Sequence, residues 1–376
     1  MSASQTIPAP DPHRETFVIN VGPQHPATHG VLRLKLTMEG EYVRRAEPVC
    51  GYIQRMHEKM GENRTWAQFL PNTGRIDYLA AMAYNHGYVG AVERAAKIVV
   101  PPRAEYIRVI TSEMNRISSH LVWFGAFLLD LGGFTPLLYA FDDREKILDL
   151  LEAVTGSRLT YCYFRFGGLC NDVDDAFLQG TRQFVDYMRP RLKMYKTLVT
   201  DNIILRKRLE GIGIIDAELC RKYGATGPVI RGAGVAYDVR KVEPYSVYRD
   251  FDFDVPVFPE GDCMARYFVR MEEIAQSLRI IEQALGKLPA GPVLATGVPK
   301  MMKPPAGDYC YAVEAARGRF LVRVVSDGKD IPYRVRLRTP SFSNLSLFEE
   351  ASAGMLLPDA LAELGSLDLV IPDIDR

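Results

Sequence analysis

The stretch "RAEYIRVITSEMNRISSHLVWFGAFLLDL", residues 103–131, decides the fold. Its apolar positions Ile107, Ile110, Met114, Ile117, Leu121, Phe124, Leu128 and Leu131 advance in steps of three and four, which puts all of them on one face of an α-helix. Gly132 and Gly133 end the pattern. Its most apolar part, "LVWFGAFLL" (121–129), stops at Asp130, well short of the about 20 residues needed to cross a bilayer. The seam therefore predicts a buried helix and not a membrane span.

Outward from this helix the same period recurs. A helix fits Asp143 to Val154, with Asp142 as its N-cap and Gly156 beyond its end. Another fits about 174–200, interrupted by Pro190, and a further one carries Met264, Phe268, Met271, Leu278, Ile281 and Leu285. With a segment at 76–98 these predict a central helical bundle. On both sides the period changes to two. Leu32, Leu34 and Leu36 alternate with Arg33, Lys35 and Thr37, and after the proline- and glycine-rich stretch 289–309, Val335 and Leu337 alternate with Arg334, Arg336 and Arg338. Turns are predicted at Arg317-Gly318 and Asp327-Gly328. The expectation is an α+β chain: a polar tail over 1–16, a β-rich sub-domain over 17–60, a helical bundle over 61–288, a connector over 289–309 and a strand-rich extension over 310–376.

Totals exclude several classes of function. The chain has 376 residues, with 46 basic and 46 acidic side chains, so no net field favours nucleic acid or an anionic membrane surface. The first residues lack the apolar run of a secretory signal, which makes a cytoplasmic location the expectation. Six cysteines (50, 162, 170, 220, 263 and 310) contain no C-x-x-C pair and read as free thiols without a self-contained zinc or iron-sulfur site.

The loop "NVGPQHPATHGVLRLKL" (20–36) holds His25 and His29 four positions apart. On a helix that spacing binds zinc, but Pro23, Pro26 and Gly30 oppose a helix and no third ligand is spaced nearby. Two readings stay open: an imidazole that stiffens the turn by bonding a carbonyl, and one fixed at a cavity mouth as a proton donor, with an ordinary pKa of about 6.5.

"GPQHPATHGVLRL", "GYIQRMHEKMGENRTWAQFLPNTGRIDYL", "PPRAEYIRVITSEMNRISSHL", "LDLGGFTPLLYAF", "FRFGG", "GVAYDVRK" and "ARGRFLVRVVSDG" follow in this order. From about Phe17 to Arg376 the chain thereby resembles the hydrogenase-derived quinone-site subunit of respiratory complex I, the family of D-type (49-kDa) subunits of NADH-quinone oxidoreductase. The resemblance implies the fold of a nickel-iron hydrogenase large subunit without its metal. It implies quinone as substrate, no cofactor bound by this chain alone, and a 4Fe-4S cluster held by an iron-sulfur (B-type) partner. The other partners implied are C-type and I-type peripheral-arm subunits and an H-type membrane subunit, at the cytoplasmic face of a bacterial or archaeal membrane.

By the same resemblance His29 and Tyr78 hydrogen-bond the quinone headgroup, and Asp130 pairs with the histidine. Quinone takes up two electrons and two protons, so two donors at opposite carbonyls suit the chemistry. Asp130 has support of its own, because Trp123, Phe127 and Phe134 fall on its stripe, although a helix C-terminal acid can also simply turn to water. Arg55 and Arg75 fall where the family approaches the partner's cluster.

The chain departs from the wider lineage in several places. "CGYIQRMH" is similar to the hydrogenase pattern C-G-x-C-x-x-x-H, but Ile53 replaces the second cysteine and "VIPDIDR" carries none of the C-terminal pair. Nickel and iron need four thiolates, and Cys50 alone reads as a buried core thiol. Gln54 and Thr160 stand where many members have histidine, and the departure at Thr160 implies a weaker pH dependence of the partner cluster and a low-potential quinone. The sequence leaves the electron donor open among NADH, deazaflavin and ferredoxin. Two other functions remain as alternatives: the large subunit of a membrane-bound hydrogenase and an inactive assembly scaffold.

Overall fold

The computed structural model describes residues 15–25 and 30–376. It opens with three antiparallel strands, β1 (Thr16–Val21), β2 (Arg33–Glu39) and β3 (Tyr42–Val49), in the order 1-2-3. As the alternation requires, Leu34 and Leu36 face the core while Arg33, Lys35 and Thr37 are half-buried on the other side.

The chain then turns helical with α1 (His57–Gly61), α2 (Trp66–Thr73), α3 (Ala81–Ala96), α4 (Pro102–Asp130) and α5 (Phe134–Thr155). A small hairpin, β4 (Phe164–Arg165) with β5 (Gly168–Leu169), precedes α6 (Asp175–Tyr195). Four short helices follow: α7 (Ile203–Leu209), α8 (Ala217–Tyr223), α9 (Pro228–Gly232) and α10 (Val239–Val242). They lead to the long α11 (Cys263–Lys287). A second antiparallel sheet holds β6 (Gly307–Ala315), β7 (Gly318–Ser326) and β8 (Arg334–Arg338). The chain ends in α12 (Pro340–Ser346), α13 (Phe348–Ala351), α14 (Leu357–Ser366) and α15 (Ile371–Asp375).

α4 matches its sequence pattern almost to the residue, packed between α5 and α11. It is buried on more than its apolar seam, because Arg108, Glu113, Arg116 and His120 are also buried, and each bonds a partner on another element.

Three boundaries differ from expectation. α5 starts at Phe134, not Asp143, because Pro136 sits in the first turn, where a missing N–H costs nothing; Asp142 is interior, while Gly156 does close the helix at φ 74°. α6 is capped by Asp174, whose carboxylate accepts the Phe177 N–H at 2.8 Å, and it runs straight through Pro190, which lies on the exposed face where water can take the freed carbonyl. The expected strand-rich extension is strand only as far as Arg338, beyond which helices take over.

The N-terminal sheet does not have a core to itself. Val21, Leu34, Leu36 and Val43 share one with Ile215, Phe348, Leu364 and Ile374, and β3 exchanges backbone bonds with 354–357, Val43 N–H reaching Met355 O at 2.8 Å. The larger core joins α3, α4, α5, α6 and α11 to the inner face of β6–β8. The C-terminal helices α13, α14 and α15 are thereby drawn onto the first sheet.

Candidate functional site

Tyr78 sits in the turn between α2 and α3, and its neighbours fix that turn. Asp77 is fully buried, and its Oδ1 accepts the N–H groups of Leu79 and Ala80, both at 3.1 Å, doing for α3 what the Ala80 cap residue cannot. Asn115 of α4 accepts the Met82 N–H at 3.1 Å and donates to Leu79 O at 3.0 Å. Between these anchors Tyr78 stays 37% exposed, so its side chain has solvent or ligand access from a turn held in place on both sides. Partial burial raises the phenol above its ordinary pKa; the Arg317 charge opposes the shift and the charges of Asp77 and Asp368 add to it.

Behind Tyr78 lies a buried guanidinium. Arg317 Nη1 is 2.8 Å from Asp77 Oδ2 and 3.2 Å from Ser119 Oγ, and Nη2 is 3.1 Å from Asp368 Oδ1. One side chain thus ties the turn before α3, the middle of α4 and the loop after α14. Arg317 reaches this place because its own turn is pressed against α9: a Cβ at Gly227, itself at φ 71°, would collide with the Arg317 carbonyl. The two-residue loop is Ala316-Arg317, with Ala315 paired to Gly318, one position earlier than the sequence suggests.

Asp130 ends α4 as an exposed residue in the wall of a cavity of about 380 Å³. Its lining includes His25, Leu129, Arg208, Leu361 and Ala362. Of the three aromatics on its stripe, Trp123 and Phe127 are buried and stacked at 5.0 Å, while Phe134 has moved onto α5 and is exposed. α14 meets this end of α4 closely: Trp123 Nε1 donates to Gly365 O at 2.8 Å, and a Cβ on Gly365 would lie 2.9 Å from the Phe127 ring and 3.7 Å from Asp130 Oδ2. The Tyr78 and Asp130 ends are therefore joined through 365–368, with Gly365 against Asp130 and Asp368 on the arginine behind Tyr78.

His29 lies outside the described residues. Of the described residues on either side, His25 and Gly30 pair as an isolated bridge, His25 lines the Asp130 cavity, and Gly30 packs on Ile371.

Arg55 and Arg75 are brought together at the surface, where Arg55 Nη2 donates to the Arg75 carbonyl at 2.8 Å. Between them and the core, His57 is buried with neither ring nitrogen hydrogen-bonded among the described residues, and burial followed by the two arginine charges pushes its pKa down to about 4. The segments compared with the hydrogenase cysteine motifs also meet. Asp375 accepts the N–H groups of Gly51 at 2.8 Å and Ile53 at 3.0 Å, and Gln54 reaches Arg376 O at 3.1 Å. Cys50 is exposed there, not a core thiol. No helix among the described residues is long and apolar enough to cross a membrane, and none of their His, Cys, Asp and Glu side chains form a group of three or more able to hold a metal ion.

The sequence reading missed Asp77, Arg317 and Asp368. One local signal was available, an acid directly before the tyrosine of "RIDYL".

Two regions, residues 130–303 and 296–376, match the family described as the respiratory-chain NADH dehydrogenase 49 Kd subunit. Among curated proteins the chain is 74% identical to the second D-type subunit of NADH-quinone oxidoreductase of Opitutus terrae, over 97% of this chain and 91% of that one. It is 68% identical to the D-type subunit of NADH-quinone oxidoreductase of Desulfotalea psychrophila, over 96% of this chain and 97% of that one. The corresponding D-type subunit of Syntrophobacter fumaroxidans is 56% identical over the same shares.

Proposed function

We propose, on the premise that this chain belongs to the family of the respiratory-chain NADH dehydrogenase 49 Kd subunit, that it is the quinone-reducing subunit of a complex I-type, proton-translocating oxidoreductase. Tyr78 is the donor at one quinone carbonyl and His29 the donor at the other. The observation that carries this is the build of the Tyr78 turn: a phenol left open to a ligand while its backbone is pinned by Asp77, Asn115 and Arg317.

A 4Fe-4S cluster on the partner subunit would supply the two electrons, one at a time. This chain supplies the two protons, one from the Tyr78 hydroxyl, which becomes tyrosinate, and one from the His29 imidazolium, which becomes imidazole. Arg317 favours the tyrosinate, because its charge lowers the cost of a negative oxygen beside it. Asp130, at the cavity that also holds His25, recharges the histidine, and the altered charge shifts the surrounding loops. Arg55 and Arg75 face the partner's cluster and favour its reduced form.

The same membership supports a metal-free hydrogenase-like fold, and the meeting of "CGYIQ" with "PDIDR" fits it. It also supports B-, C-, I- and H-type partner subunits at the cytoplasmic membrane face, and a division at about residues 60 and 289–309.

A photoreactive quinone analogue tests the reading on the intact complex. Labelling is expected on the segments carrying Tyr78 and His29; label confined to other segments overturns it.

A further inference from the structure

Away from the Tyr78 and Asp130 ends, one guanidinium gathers two thiols. Arg165 Nη1 donates to Cys162 Sγ at 3.4 Å and Nη2 to Cys170 Sγ at 3.7 Å, so a single planar group at the β4–β5 hairpin spans the gap between the sulfurs. Both thiols are free, Cys170 exposed and Cys162 half-buried. The Cys170 N–H donates to Tyr163 O at 3.0 Å, which sets Cys170 across from Tyr163, the neighbour of Cys162. Facing and diagonal positions across paired strands lie about 4.5–8 Å apart, a range that overlaps the about 4.4–6.8 Å between α-carbons that a disulfide spans.

We propose that Cys162 and Cys170 form a thiol–disulfide exchange site for a low-molecular-weight disulfide, and that closing the pair slows quinone reduction; the effect on turnover rests on the role proposed for the Tyr78 turn. First the Cys170 sulfur, having given its proton to water, attacks one sulfur of the small disulfide. A mixed disulfide forms, and one small thiolate leaves and takes up a proton. The Cys162 sulfur then attacks the Cys170 sulfur in the same way, and the second small thiol leaves. Two electrons pass from the two cysteines to the small disulfide, which ends as two thiols. Negative charge is shared among the sulfurs in both attacks, and guanidinium N–H groups already stand beside two of them.

Closure moves the Cys162 side, because the rest of the hairpin is pinned. Arg108 Nη2 donates to Arg165 O at 2.9 Å and to Gly168 O at 3.0 Å, Glu93 accepts the Gly167 N–H at 2.7 Å, and Val293 O accepts the Leu169 N–H at 2.9 Å. Tyr161, next to Cys162, packs its carbonyl on Gly74, where a Cβ would lie only 2.9 Å from it. Gly74 caps the end of α2 and leads into the turn that carries Tyr78. A displacement at Cys162 is thereby passed to that turn.

The test incubates the intact complex with oxidised glutathione, alkylates the remaining thiols and digests with trypsin, which cuts after Arg158, Arg165 and Arg182. Peptide 159–165 is expected joined to peptide 166–182, and the link is lost with dithiothreitol. Quinol formation should fall about tenfold or more on treatment and recover with the same reductant. Cys162→Ser should keep the untreated rate, form no joined peptide, hold glutathione on peptide 166–182 and escape the inhibition. Cys170→Ser should lose the link and the inhibition together. Absence of the joined peptide from treated wild-type complex, a measurement that needs no variant to fold, overturns the exchange site. A joined peptide with quinol formation unchanged, or inhibition persisting in Cys170→Ser, overturns the effect on turnover. Failure of the Tyr78 reading shows separately, as normal quinol formation by untreated Tyr78→Phe.

Discussion

Behind Tyr78, Asp77 and Arg317 neutralise each other at 2.8 Å in a fully buried site, whereas on α14, next to the cavity of Asp130, Glu363 is buried with neither carboxylate oxygen hydrogen-bonded among the described residues. Both places put acids in a dry interior, but only the first supplies them with a counter-charge. Glu363 answers by keeping its proton: burial pushes its pKa up to about 8, against a smaller opposing effect of Arg266. The Tyr78 end is thus rigid and electrostatically closed within this chain. The Asp130 end has the exposed apolar side chain of Leu129 in its cavity wall and, one residue beyond Ala362 of that wall, a buried acid that is neutral below about pH 8.

The sharpest way to break the contrast is Arg317→Met. Removing the guanidinium leaves Asp77 and Asp368 buried without their shared partner, a loss of about 3–5 kcal/mol in stability. It is read as a lowered unfolding midpoint and a poorly assembled complex. Glu363→Leu should act in the opposite direction. The native carboxyl titrates above its ordinary value, so its stability contribution is full below that ordinary value and is lost as pH rises through about 8. The leucine variant should therefore gain about 1–3 kcal/mol at pH above 8 and little at pH 4, by thermal unfolding at both pH values. A smaller effect is expected from Asp130→Asn. It keeps the shape of the cavity wall but not its charge, and should lower kcat for quinone about tenfold with KM nearly unchanged.

What the sequence made legible follows the range of the interactions involved. α4 was readable because its seam repeats every three to four residues, and β2 because Leu34 and Leu36 alternate with polar neighbours. The start of α5 was hidden because Gly132 and Gly133 end the pattern of α4 and Pro136 follows them, although the first turn of a helix tolerates proline. Helices α12 to α15 are too short for a period to accumulate. Arg317 looked like a turn residue beside glycine, because its partners Asp77 and Asp368 lie 240 and 51 positions away, and no local pattern reports a burial created at that distance. Tyr78 and Asp130 were reached through family resemblance, and His29 falls outside the described residues, so the observed geometry bears on two of the three.

In the proposed function quinone reduction turns on the Tyr78 hydroxyl, and the most direct measurement is quinol formation by the intact complex carrying Tyr78→Phe, with reduction of the electron-input centres followed in parallel. The prediction is normal input and normal assembly with quinol formation lowered by about 100-fold or more. Quinol forming at the wild-type rate would contradict it.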